Sequence, residues 1–125
     1  MVPEHMQWFV ADRFGLFVHW GIYSVAARHE WVQSREQRDT AEYGAYMHVF
    51  DPDLYDPASW ARDAKAAGMK YAIITSKHHD GFAMWDTATT EFGVMHTPAG
   101  RDVLREWVDA FRAEGLKVGF YYSVI

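Results

Sequence analysis

Asp56-Pro57-Ala58-Ser59-Trp60-Ala61-Arg62-Asp63-Ala64-Lys65-Ala66-Ala67-Gly68-Met69-Lys70-Tyr71-Ala72-Ile73-Ile74-Thr75-Ser76 is the stretch on which the fold turns. Asp56 is a good N-cap, and Pro57 suits the first helical position, where a missing N–H costs nothing. Trp60, Ala64 and Ala67 share one helical face at i, i+4 and i+7. Gly68 fits the left-handed residue that ends a helix. Lys70 to Ser76 is then a short apolar run, the pattern of a buried strand. The stretch therefore predicts helix, stop, strand.

The same grammar appears on either side. Upstream, Arg13-Phe14-Gly15-Leu16-Phe17-Val18-His19-Trp20-Gly21 has a continuous apolar centre and predicts a strand covered on both faces. Residues 4–12 look helical. Residues 20–50 lack a clean period and are read as a long functional loop with a helical piece near 36–48. Downstream, 77–100 is another long loop. Arg101 to Glu114 predicts a helix with Val103, Leu104, Trp107, Val108 and Phe111 on one side. Arg105 and Asp109 are spaced for an ion pair on the other. Gly115 stops it, and Lys117 to Ser123 is a third strand. Strand, helix, strand, helix, strand implies an α/β fold of parallel strands, with the site at the strands' C-terminal ends.

The totals narrow the function. The chain has 125 residues, half of them hydrophobic and 17% aromatic, which is enough for one folded domain over 1–125. A net charge of −5 with no basic run argues against nucleic acid. Without Cys there is no disulfide or thiolate metal site. No apolar run is long enough to span a membrane, and no leader pattern opens the chain, so the expected location is cytoplasmic. An eight-stranded TIM-type (β/α) barrel needs about 250 residues. Three strands would make a partial, truncated barrel with two open edges and one bare face, a liability that self-association into a homo-oligomer would relieve.

Candidate site residues cluster after the strands. His78 and His79 end the second strand, and neutral imidazoles offer one donor and one acceptor each. By residue type alone such a pair is more often structural, as are the lone His19, the Glu30-Trp31 pair and Tyr121. Metal binding is disfavoured, because adjacent His residues chelate one ion poorly and no His-Glu-x-x-His spacing occurs.

Taken together the motifs resemble those of one family. Arg13 to Ser24, Ser76-Lys77-His78-His79-Asp80-Gly81-Phe82 and Gly119-Phe120-Tyr121-Tyr122-Ser123 are similar to segments of the α-L-fucosidases, glycoside hydrolase family 29. Glu30-Trp31 falls where that family has a Glu-Trp pair, and Arg101-Asp102 also fits. The resemblance runs from about Met6 to Ser123. It implies retaining hydrolysis of terminal α-L-fucose on glycans or aryl fucosides, with no cofactor. It implies that His19, Glu30, Trp31, His78, His79 and Tyr121 contact the sugar. The family's nucleophilic Asp and its acid/base are expected beyond the stretch matched here. Among carboxylates in hand, Glu30 is the first catalytic candidate and Asp80 the second, with Asp86 a weaker one. A fucose-binding module without catalysis, or a piece needing a complementary C-terminal chain, are the alternatives.

Overall fold

The computed structural model describes residues 1–124. Its strands are β1 (Gly15–Val18), β2 (Tyr71–Lys77) and β3 (Lys117–Tyr122), in the order β1-β2-β3 and parallel throughout. Gly15 lies opposite Tyr71, and Tyr71 opposite Lys117. The helices are α1 (Gln7–Asp12), α2 (Val32–Arg35), α3 (Thr40–Gly44), α4 (Pro57–Ala66) and α5 (Val103–Ala113).

The two crossover helices are punctuated identically. Asp56 accepts from the Ser59 N–H and Asp102 from the Arg105 N–H, each satisfying an orphan donor of the first turn. At the other end Gly68 and Gly115 take φ of 88° and 74°. Gly68 N–H donates to Lys65 O while Met69 N–H donates to Ala64 O. Gly115 and Leu116 repeat this on Arg112 and Phe111. Both are Schellman turns, which require a residue without a Cβ penalty at positive φ.

α4 and α5 pack on one face of the sheet. The core there contains Ala61, Ala64, Ala72, Ile74, Val103, Leu104, Trp107 and Phe111, with Leu16, Val18 and Val118 at its margin. The buried stripe of α4 is Pro57, Ala61 and Ala64, rather than the expected Trp60, Ala64 and Ala67. A stripe of small residues lets α4 come close to α5, where Trp107 and Phe111 stack at 3.8 Å and supply the bulk. Trp60 is displaced to the margin, edge-on to Tyr55. The ion pair on α5 is likewise not Arg105–Asp109. Arg101 at the helix entrance pairs with Glu106, while Arg105 lines a groove beside Val108 and Phe120.

The opposite face differs from the expectation of a doubly covered β1. Phe17 is 52% exposed, because no described residue covers the middle of that face. Its lower end is covered by α1, whose Trp8 and Phe9 rings meet Tyr71 at 5.9 and 5.5 Å. Gly15 is required beneath them: a Cβ there would sit 2.3 Å from the Tyr71 ring.

Residues 20–50 are a succession of short helical turns more than a loop, with 3₁₀ pieces at Ile22–Ala26 and Ala45–Val49 beside α2 and α3. They bury Ile22, Tyr23, Val32, Tyr43 and Phe50, a second lobe of the core. Apolar grooves flank the edge strands. One of about 520 Å³ lies between Leu16, Val18 and Trp60, and one of about 450 Å³ between Phe120, Tyr122, Trp85 and Leu104.

Candidate functional site at the strand ends

Each strand delivers one part of a ring cluster. β1 stops at Val18 because Thr75 Oγ1 donates to Val18 O and accepts from the Trp20 N–H, both at 3.2 Å. This turns the chain and leaves His19 above the sheet. β2 stops at Lys77, so His78 and His79 escape strand alternation and lie side by side in a turn closed by Gly81 N–H on His78 O. Gly81 has φ of 84°, which favours glycine there. Tyr121 comes from β3, opposite Thr75.

The rings converge closely. His78 lies 4.9 Å from His19, 4.5 Å from His79 and 5.7 Å from Tyr121, stacked on the last. Trp31 approaches His79 at 4.7 Å and His78 at 5.8 Å. Tyr23 meets both His19 and His78 edge-on at 5.6 Å. The six sequence-predicted contact residues thus border one area. Glu30 joins its two hollows: one of about 390 Å³ with His19 and Tyr23, and a smaller one of about 60 Å³ with Trp31, His78, His79 and Asp80.

Charge in the cluster is set by burial and neighbours. Burial, then the His19 and His79 charges, lowers the pKa of His78, so it is a neutral imidazole at neutral pH. Its Nδ1 is buried without a hydrogen-bond partner among the described residues. Glu30 is held below its ordinary value, first by its own backbone N–H and then by the charges of His19 and His78. It is therefore an ionised acceptor rather than a proton donor. The Tyr23 hydroxyl is also buried, and burial pushes its pKa up against a smaller opposing pull from the Thr75 side chain.

The other two carboxylates sit differently. Asp80 Oδ2 accepts from the Tyr43 hydroxyl at 2.7 Å, and Oδ1 accepts from the Phe82 N–H at 3.0 Å. Both oxygens are thus occupied in holding the His turn. Asp86 is exposed and borders neither hollow, and its N–H donates to the Asp102 cap. Among the described residues no three His, Cys, Asp or Glu side chains converge as a metal site. None of the helices is long and apolar enough to cross a membrane.

Four supporting residues were not predicted: Tyr43, Tyr23, Thr75 and Ser123. Ser123 Oγ lies 2.6 Å from His79 Nδ1. Tyr23 and Ser123 lie inside the family-like segments, but nothing local marks the supporting roles of Tyr43 and Ser123, whose partners are distant in sequence. Tyr43 is 37 residues from Asp80, and His79 is 44 from Ser123.

Comparison with known proteins follows the same outline. Residues 2–125 match the sequence model of the family described as Alpha-L-fucosidase. Alpha-L-fucosidase isoenzyme 1 from Paenibacillus thiaminolyticus superposes with a TM-score of 0.95 and 58% identity, over 98% of this chain and 29% of that one. A family 29 α-L-fucosidase from Bacteroides thetaiotaomicron, described as a trapped covalent intermediate with 2-fluoro-fucosyl fluoride, gives 0.93 and 36%, over 99% and 31%. The tissue alpha-L-fucosidase of Rattus norvegicus is 32% identical over 94% of this chain and 29% of its own length. The chain thus spans about three tenths of the relatives it matches.

Proposed function

The chain belongs to the α-L-fucosidase family, and from that premise we propose that its strand-end cluster holds the α-L-fucose unit of a fucosylated glycan or fucoside for hydrolysis with retention. The observation that carries this reading is the convergence of the His19, Trp31, His78, His79 and Tyr121 rings beside the two hollows that the ionised Glu30 borders. Fucose is a 6-deoxy sugar. Its hydroxyls need donors and acceptors, which neutral imidazoles and a carboxylate supply, and its methyl group needs aromatic carbon, which Trp31 supplies.

Retention needs two carboxyl groups about 5–5.5 Å apart, one as nucleophile and one as acid/base. The covalent intermediate named for the Bacteroides relative agrees with such a mechanism in that enzyme. Here Glu30 is a sugar ligand or the nucleophile. Asp80 is the weaker candidate, because both of its oxygens already accept hydrogen bonds. We assign the whole of 1–125 to one domain, a part of a (β/α) barrel. The rest of the site then comes from a second copy seated against the open edges. The exposed Phe17, Phe120 and Tyr122 and the two apolar grooves favour that arrangement. The engaged Asp80 favours the second reading, a fucose-holding piece whose catalytic carboxylates lie on complementary polypeptide.

An aryl α-L-fucoside assayed over a protein dilution series separates the two. Specific activity that falls with dilution supports the assembled site. Fucose binding by calorimetry without turnover supports the second reading, and neither binding nor turnover removes both. Light scattering that returns a monomer at micromolar concentration removes self-association.

A further inference from the structure

Ser123 sits immediately after β3, only 4% exposed, and its backbone N–H donates to Lys77 O at 2.9 Å. That bond fixes the residue against the end of β2. Its Oγ then lies 2.6 Å from His79 Nδ1, the one side-chain hydrogen bond it forms among the described residues. The roles in that bond follow from what each atom can do. A hydroxyl has one proton and two lone pairs. A buried donor with no acceptor is costly, whereas an unused lone pair is tolerated more often. The Ser123 proton has Nδ1 in reach, so Nδ1 accepts it. A neutral imidazole with a bare Nδ1 carries its proton on Nε2.

We infer that Ser123 is a positioning residue that holds His79 as the Nε2–H tautomer, so that His79 enters the site as a hydrogen-bond donor. The reverse tautomer would leave the Ser123 proton buried with no acceptor among the described residues to receive it. Trp31, 4.7 Å from the His79 ring, restrains the imidazole from another side. Glu30 borders the same small hollow as His79 and, being ionised, only accepts. One fixed donor and one fixed acceptor suit a sugar hydroxyl, which takes a bond from His79 and gives its own to Glu30. This ligand assignment rests on the fucose reading above; the tautomer assignment does not.

The test uses the whole chain labelled with ¹⁵N at histidine, without ligand, at about pH 8, where imidazoles are neutral. Long-range ¹H–¹⁵N correlations distinguish a bare ring nitrogen from a protonated one, and His79→Gln assigns the signals by their loss. The expected native pattern for His79 is a bare Nδ1 and a protonated Nε2, and Ser123→Ala should move it towards a mixture. A native spectrum with Nδ1 protonated overturns the inference, as does a Ser123→Ala spectrum identical to native. Fucose titrated into both forms should bind the variant roughly fivefold to tenfold more weakly, the size of one lost hydrogen bond. Equal affinities despite a changed tautomer would remove the donor role of His79. If the native chain shows the expected tautomer but binds no fucose, the fucose reading fails and the Ser123 assignment stands.

Discussion

The two ends of the sheet are built to opposite rules. At the lower end Trp8, Phe9 and Tyr71 close over Gly15, and Lys117 pairs with Asp12 at 2.6 Å. Rings there meet rings, and the cation meets its carboxylate. At the upper end His78 Nδ1 is buried without a partner among the described residues, and imidazoles crowd one another. Such an arrangement is poor for stability, since each orphaned polar group costs free energy. Such crowding is kept at the strand ends, where parallel α/β folds place their sites. The lower end is built for stability, and under the proposed function the upper end is given over to recognition.

The largest expected effect tests the lower end. Gly15→Ala places a methyl 2.3 Å from a ring that Trp8 and Phe9 hold in place. It should cost about 3 kcal/mol in urea unfolding, at the upper range for overpacking. Fucose affinity of the folded fraction should be unchanged. A drop in affinity at equal folding would break the division between the ends.

Next comes Glu30→Gln at the rim. Loss of a charged acceptor should weaken fucose binding by about 2 kcal/mol, roughly 30-fold, while the unfolding midpoint stays within error. The same variant should abolish turnover if Glu30 is the nucleophile, and unaltered turnover would remove it from the chemistry. A clear loss of stability would show that the rim also supports the fold.

Tyr43→Phe sharpens the comparison, because Tyr43 belongs to both regions. Its ring is in the core and its hydroxyl holds Asp80 beneath the His turn. The swap should cost about 1.5 kcal/mol in stability, the low end for a bond to a charged group. Fucose should also bind more weakly. Stability loss with unchanged affinity would show that the turn holds its shape without this bond.

The smallest effect is in pH. Burial and the charges of His19 and His79 depress the His78 pKa, so the unfolded chain binds a proton there more readily than the folded one. The associated stability is present above the ordinary histidine value of about 6.5. It is lost as pH falls through that value towards the lower folded one. Unfolding midpoints from about pH 7.5 down to 5 should fall less steeply in His78→Gln than in the native chain. Parallel curves would exclude His78 as the source.

What could be read in advance follows the range of each interaction. Asp56 and Gly68, and Asp102 and Gly115, act within one turn of their own helices, so the sequence shows them directly. The parallel strand order follows from alternation of the elements. Trp60 was misplaced because two apolar stripes were available on α4, and the choice between them depends on the size of Trp107 on another helix. Gly15 reads as an ordinary strand residue in the sequence, and only Tyr71 across the ladder gives it its role. At the rim the histidines could be named from motif resemblance. Their supports, Tyr43 and Ser123, could not, because each reaches its partner only through the finished fold.

The paired helix-to-strand turns have a consequence for variation. Gly68 and Gly115 deliver the chain to β2 and β3 through short connections, and the ladder begins just beyond each: Lys70 N–H donates to Phe14 O, and Lys117 N–H to Lys70 O. Strand register is thus set from below, before the upper connections are reached. Insertions near the exposed tip around Asp86 and Glu91 should leave the strands in step, whereas a single residue added after Gly68 or Gly115 would shift a whole strand and turn its side chains to the wrong face. The fold keeps its alignment at one end and leaves the other free to be rewritten.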